Sequence, residues 1–244
     1  MNCFAQSDRG TVRKENQDRA ACAHIRRKGC TVAVVCDGMG GAKSGNVASR
    51  LATDVFIREV KRTWNASLDD DALRRMLVDA VELANRAVYE HAQLSEDFSG
   101  MGTTLVAAFV KTDLAIAVNV GDSRAYLLRE QGVTRITEDH SVVQLMVRRG
   151  EITEEEARTY PGKNLITRAV GTEPRVSCDV FTLRVAPGDA ILLCSDGLSN
   201  LLTDQELLFE VVHAVHKEQC CQHLIEIAKD RGAPDNITAV LMLI

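Results

Sequence analysis

Five aspartates carry the chemistry this sequence suggests. Asp37 closes the apolar run TVAVVC and opens DGMGG, and Asp196 closes AILLCS and opens DGLSN. Asp18 stands in RKENQDRA, Asp122 in NVGDSR and Asp235 in RGAPDNITAV. Each falls at the start or end of a predicted strand. Asp-Gly is a common turn former, so either of the first two taken alone reads as a turn. If the strand ends converge, four or five carboxylates meet at one edge of the sheets. Their repulsion would raise several pKa values, and bound divalent cations would relieve it. An all-oxygen set without His or Cys suits Mg²⁺ or Mn²⁺. Spacing alone does not bring these residues together.

The elements that must position them follow from periodicity. Strands are predicted near Asn2 to Gln6, Asp18 to Ile25 and Thr31 to Cys36. A helix from about Ser44 carries Val47, Leu51 and Val55, with Ala48, Ala52 and Phe56 beside them, at fourth-residue spacing. A second begins near Leu68. Asp69, Asp70 and Asp71 in its first turn suit the positive end of the helix dipole. Leu73, Leu77, Ala80, Ala84, Ala87 and Val88 form its apolar stripe. The middle reads as a meander of TTLVAAFV, LAIAVNV and RAYLLRE. The charged segment from Asp139 to Arg168 has a Thr153–Glu156 capping box and a Tyr-Pro-Gly break, and reads as small helices and loops outside the core. Strands Ser177 to Arg184 and Ala190 to Cys194 flank a Pro187-Gly188-Asp189 turn. Thr203 and Glu206 open a helix bearing Leu207, Leu208, Val211 and Val215. Another helix runs to about Asp230, and ITAVLMLI closes the chain as a strand. Paired helices and meandering strands predict an α+β arrangement, with antiparallel sheets covered by helices.

The 244 residues are expected to form one domain, with no internal repeat or low-complexity linker. A 45% hydrophobic and 26% charged composition is ordinary for a globular chain with a sizeable core. The net charge of -5 argues against a nucleic-acid surface. No apolar run spans a bilayer, and MNCFAQSDRG is not patterned as a secretory signal. A cytoplasmic protein is expected. Of the eight cysteines, Cys36 and Cys194 sit in apolar runs and read as small hydrophobes. No C-x-x-C pair offers a zinc framework. Reduced thiols are the expectation.

Gly38-Met39-Gly40-Gly41 follows a strand and precedes a helix, as a phosphate-cradling loop would. A P-loop needs Gly before Lys-Ser, and Ala42 stands there. G-x-G-x-x-G needs glycine at position 43, and Lys43 stands there. No βαβ alternation follows. Nucleotide binding is not supported.

Seven motifs in order resemble the metal-dependent Ser/Thr protein phosphatases of the PPM/PP2C family in their compact bacterial form. They are RKENQD at 13–18, VCDGMGG at 35–41, GMGTT at 100–104, NVGDSR at 119–124, EDHS at 138–141, LCSDGL at 193–198 and PDNIT at 234–238. The resemblance covers essentially the whole chain. It implies a four-layer α-β-β-α sandwich of two antiparallel sheets flanked by helix pairs, and a binuclear Mn²⁺ or Mg²⁺ centre at one end. By it, Asp37 bridges two ions together with the Gly38 carbonyl. Asp196 and Asp235 complete the first ion's shell, and Asp18 holds the second through water. Asp122 with Asp196 matches a weaker third site, and Arg13 grips the substrate phosphate.

Each role has a plainer alternative. Gly121-Asp122 could simply turn a hairpin. Arg13 could be a solvated arginine, although a guanidinium forks onto phosphate as lysine cannot. Asn236 either orients Asp235 or begins a strand, and His140 reads as a residue opening a helix rather than a catalyst. Met39 replaces a histidine that some relatives use as a proposed proton donor. Gln17 replaces a glutamate, leaving one negative charge fewer near the second ion.

The implied reaction is hydrolysis of phosphoserine or phosphothreonine in proteins by a metal-activated water, without a phosphoenzyme. The implied partners are phosphorylated proteins, including a Ser/Thr kinase and its substrates. Neither nucleic acid nor membrane is expected as a partner, and a monomer is expected. Residues 139–168 correspond to the family's flap beside the site. A binding module that had lost catalysis would be expected to have lost metal carboxylates, and Asp18, Asp37, Asp196 and Asp235 are all present.

Overall fold

Strand β3 (Cys30–Met39) shows why the chain folds into layers. Side chains alternate across a strand. Val32, Val34 and Cys36 face a layer of helices, and Ala33 and Val35 face a second sheet. Both faces are buried, so the strand reads as a continuous apolar run. The structure is a computed structural model and describes residues 1–25, 29–40 and 44–244. Gly41, Ala42 and Lys43, part of the glycine-rich stretch, lie outside the described residues.

Among the described residues there are two antiparallel sheets. The first has the order β1 (Asn2–Asp8), β11 (Ile237–Leu243), β10 (Ala190–Cys194), β7 (Arg124–Arg129), β8 (Gly132–Arg135). The second runs β2 (Asp18–Ile25), β3, β5 (Leu105–Lys111), β6 (Leu114–Val120), β9 (Asp179–Arg184), with β4 (Gly102–Thr103) paired to the end of β3. Helices α1 (Ser44–Thr63) and α2 (Asp70–Ala92) cover the outer face of the second sheet. There Phe56, Val60, Leu77 and Val81 meet Val34, Phe109, Ile116 and Val118. Helices α6 (Asp204–His213) and α7 (Cys220–Asp230) cover the first sheet, placing Leu207, Val211, Leu224 and Ile225 against Tyr126, Leu192 and Leu241. Between the sheets lie Val106, Ala108, Leu127, Ile191, Leu193 and Val240. Each fully buried Val, Leu or Ile side chain contributes about 1.5–3 kcal/mol. Three such layers hold the four-layer order.

Caps set the helix starts. Asp69 accepts from Ala72 N, and Thr203 and Glu206 form a reciprocal box, as Thr153 and Glu156 do for α4 (Glu154–Thr159). Together with α3 (Val142–Arg148), α4 belongs to the segment 139–168, where no helix residue other than Val143 is buried.

Three expectations are corrected. Strand β3 does not stop at Cys36 but continues through Asp37 to Met39, because β4 pairs with Gly38 and Met39. Val215 does not join the buried stripe. Helix α6 ends at His213, and Val215 is 89% exposed. The thiols are not all reduced: Cys3 and Cys22 form a disulfide, while Cys30, Cys36, Cys178, Cys194, Cys220 and Cys221 are free. The reason is topological. β1 and β2 are edge strands of different sheets on the same side of the sandwich. Cys3 packs on the inter-sheet layer, and Cys22 shares a strand face with Ala20, which packs there too. The bridge closes that edge and encloses the loop 9–17.

Removing a crosslink across a loop of this length frees the unfolded chain and costs about 3 kcal/mol of stability. Urea unfolding of the double variant Cys3→Ser/Cys22→Ser is expected to show that loss. Identical unfolding midpoints with and without reductant would argue against a stabilising bridge.

Candidate active site

The inter-sheet layer is apolar in its middle and acidic at one end. Strand alternation places Asp37 on the face of Ala33 and Val35, and Asp18 on the face of Ala20. The two aspartates are a cross-strand pair. Asp196 follows β10 and opens the short helix α5 (Asp196–Ser199), Asp235 precedes β11, and Asp122 follows β6. Arg13, Asp37, Gly38, Met39, Asp122, Asp196 and Asp235 line one pocket of about 230 Å³. Asp18 lies beneath it, 4% exposed. The structure therefore brings every residue singled out in the sequence to one end of the sandwich.

Each carboxylate has a local reason for its place. Asp18 accepts from Ser195 Oγ at 2.7 Å. The Asp37 N–H donates to Thr104 Oγ1 at 2.9 Å, and Thr104 touches Ser123 Oγ at 2.7 Å. Asp196 accepts from Asn200 Nδ2 at 3.1 Å. Arg13 Nη2 donates to Asp235 Oδ2 at 2.7 Å, with the arginine side chain 55% exposed. It is an arm reaching over the pocket, not a freely solvated residue. Asn236 resolves to more than a strand start. Its amide donates to the Arg9 and Glu15 carbonyls and accepts from Gln17 N, fastening the loop that carries Arg13. Gly38 must be glycine: a Cβ there would lie 2.1 Å from the Gly45 carbonyl oxygen at the start of α1.

Sequence reasoning gave no role to Ser195, Thr104 or Ser123. The available signal was a hydroxyl beside each strand-end aspartate: Ser195 precedes Asp196 and Ser123 follows Asp122, while Thr104 is brought in by pairing. His140 opens α3 as expected, with Ser141 as its N-cap. It is also 8% exposed and bonded to the Asp122 turn.

The electrostatics are those of crowded acids. Burial, then Asp18, Asp196, Asp122 and Asp235, pushes the Asp37 carboxyl well above the ordinary range. Burial raises Asp18 to about 6 despite bonds from Ser195 and Thr238, and burial with Asp196 and Asp139 raises Asp122 to about 8. Burial and Asp235 raise Asp196. Asp37 lies within hydrogen-bond reach of both Asp18 and Asp196. Two carboxyls that close need a shared proton or a cation between them. Asp18 Oδ1 is buried without a hydrogen-bond partner, an acceptor left aimed at whatever fills that place. Among the described residues no three acids close into a finished ligand shell. The donor chemistry is nonetheless that of a hard divalent ion: carboxylates and a backbone carbonyl, without thiolate or imidazole.

Comparison with known proteins finds relatives over nearly the whole chain. The family model described as protein phosphatase 2C matches residues 9–231. The serine/threonine phosphatase stp of Listeria innocua is 35% identical over 242 residues, covering 99% of this chain and 95% of that one. The structure of the serine/threonine phosphatase Stp1 from Staphylococcus aureus superposes with a TM-score of 0.92 at 36% identity, over 99% of this chain and 94% of that one. The catalytic domain of the serine/threonine protein phosphatase PstP, solved in complex with two manganese ions, gives 0.85 at 35% identity, over 98% and 96%.

An acid whose pKa is higher folded than unfolded stabilises the fold at low pH and loses that contribution as pH rises. For Asp122 the window runs from 3.8 to about 8. The buried His140, shifted the other way, has given its full contribution by about pH 6.5. Protein freed of divalent ions is therefore expected to melt at a lower temperature at about pH 8 than at about pH 6.5. A Tm that holds or climbs across that interval would contradict the crowded-acid picture.

Proposed function

This chain belongs to the protein phosphatase 2C family, and on that premise we propose that it hydrolyses phosphoserine and phosphothreonine in proteins with the help of two divalent ions, Mn²⁺ or Mg²⁺. One observation carries the reading: Asp37, Asp196 and Asp235 line one pocket, Asp18 pairs with Asp37 beneath it, and the Arg13 guanidinium stands at its rim.

Asp37 and the Gly38 carbonyl would sit between the ions. Asp196 and Asp235 would complete one shell, and Asp18 would stand behind the other. Asp122 with Asp196 would offer a weaker third position. When bound, such ions lower the pKa of water and offset the charge of the phosphate. The chain supplies positioning. Arg13 is held over the pocket by Asp235 and can swing one guanidinium edge onto phosphate oxygens. Thr104, Ser195 and Asn236 hold the acids from behind, so little reorganisation is needed when phosphate arrives. Met39 lines the pocket and has no proton to give the leaving alkoxide, so that proton must come from water or another side chain.

The 139–168 segment acts as a flap in this reading. A second cleft of about 360 Å³ continues from the site between that segment and the α5–α6 turn, sharing Asp122, Asn164 and Asp196. The residues flanking a phosphorylated side chain would lie there. We infer phosphoprotein substrates, among them a Ser/Thr kinase and its targets, for a monomeric one-domain enzyme acting in the cytoplasm. Among the described residues no helix is long and apolar enough to cross a membrane. In a reducing compartment the Cys3–Cys22 bridge would be open to thiol exchange.

Phosphate release from a phosphothreonine peptide is expected to appear on Mn²⁺ addition and vanish with chelator. Asp37→Ala is expected to lose about 100-fold or more in kcat. Full activity in that variant would sink the mechanism. Shortening 139–168 should change activity on a phosphoprotein more than on a small aryl phosphate; equal changes on both would remove the flap from substrate choice.

A further inference from the structure

His140 sits outside the pocket, yet it touches three elements that the site depends on. Its backbone N–H donates to the Gly121 carbonyl at 2.9 Å, and the Gly121 N–H donates to its Nδ1 at 3.0 Å. Both backbone polar groups of the residue before Asp122 are thus bonded to one histidine. Its own carbonyl accepts from Thr167 N at 2.7 Å, and its neighbour Ser141 bridges to Ile166. The two ends of the 139–168 segment therefore meet at His140.

The tautomer follows from the bonds. A backbone N–H can only donate, so Nδ1 is the acceptor and Nε2 carries the proton. Nε2 then points its hydrogen at Asp179 Oδ2, 3.2 Å away. Arg168 Nη1 lies 2.9 Å from Nε2 and 2.9 Å from Asp179 Oδ1. Two donors face each other there, so the arginine bonds the carboxylate and not the ring. Asp179 holds the imidazole edge-on, in the way a carboxylate orients a functional histidine.

The turn beyond His140 has no slack. Gly121 has φ +104°, and a Cβ on it would lie 2.6 Å from Thr104 Cγ2. Thr104 in turn bonds Ser123 and the Asp37 N–H. A continuous path runs from Asp179 through His140, Gly121–Ser123 and Thr104 to Asp37. We propose that His140 is a positioning residue that fastens the Asp122 turn, and through Thr104 the Asp37 backbone, to the base of the 139–168 segment. The inference uses the phosphatase reading only for its activity measurement.

The test compares His140→Asn with His140→Gln. Asparagine can place an oxygen where Nδ1 lies; glutamine carries its oxygen one bond further and cannot. In ion-free protein, amide hydrogen exchange at Gly121 is expected to quicken about tenfold in His140→Gln and to stay slow in His140→Asn, the difference of one hydrogen bond. With Mn²⁺ and an aryl phosphate, kcat is expected to fall about 10- to 100-fold in His140→Gln, with KM within about twofold, and to recover in His140→Asn. Asp179→Ala leaves the Nδ1 bond in place but frees the ring to tilt. It should shift both quantities in the same direction by less, and it serves if His140→Gln folds poorly. Equal Gly121 exchange in the Asn and Gln variants would overturn the clamp, as would quickened exchange with unchanged kcat. The exchange comparison needs no catalysis, so a protein that hydrolyses nothing would remove the phosphatase reading without deciding the clamp.

Discussion

Asp18 and Asp37 face each other across adjacent strands at the buried end of the inter-sheet layer, and the rest of the site is arranged around that contact. Two buried carboxylates in reach of one another cannot both stay charged without help. A proton or a cation must stand between them. A close like-charge pair survives in a fold only where the surroundings hold it and the function uses it. Ser195, Thr104 and Asn236 supply the holding. Each offers a hydroxyl or amide to an acid or to its backbone, and none of them adds charge.

The sandwich makes this possible because its two sheets end together. The acids stand at or just beyond the ends of strands from both sheets, so that they meet in the gap at the rim of the inter-sheet layer. The gap is small because the apolar middle is closely packed by alternating Val, Ala, Leu and Ile. Edge closure matters too. β1 and β2 are consecutive strands in different sheets, and the chain between them carries Arg13 and Gln17 over the pocket. The Asn236 amide holds that loop at Arg9, Glu15 and Gln17, and the Cys3–Cys22 bridge joins the strands on either side of it. The Arg13 guanidinium is thereby mounted on a tethered arm at the pocket's rim.

The segment 139–168 is built on different terms. It is charged, short in helix and shallow in burial, yet its two ends are joined at a nearly buried histidine. Shallow burial above and a fastened base below are what the proposed flap role requires.

Much was legible in the residues. The α1, α2 and α6 stripes, both capping boxes and the meander follow from periodicity and short-range hydrogen bonding, which act within a few residues, while the order of the four layers was implied by the family resemblance. The aspartates could be singled out because a charge after a buried run is costly without a purpose. Other features were not legible. Strand β3 runs past Asp37 because Gly102 and Thr103, sixty-odd residues on, pair with its end. Val215 obeys the helical spacing but lies beyond the helix end at His213 and is exposed. The bridge depends on two edge strands from separate sheets coming side by side, which no spacing of cysteines announces. Local physics, acting within a few residues, was enough to reveal most elements, their buried faces and the acids that stand out. That the acids gather at one pocket, which hydroxyls support them and that His140 grips the Asp122 turn emerge only in three dimensions, because those contacts join residues that chain topology alone brings together.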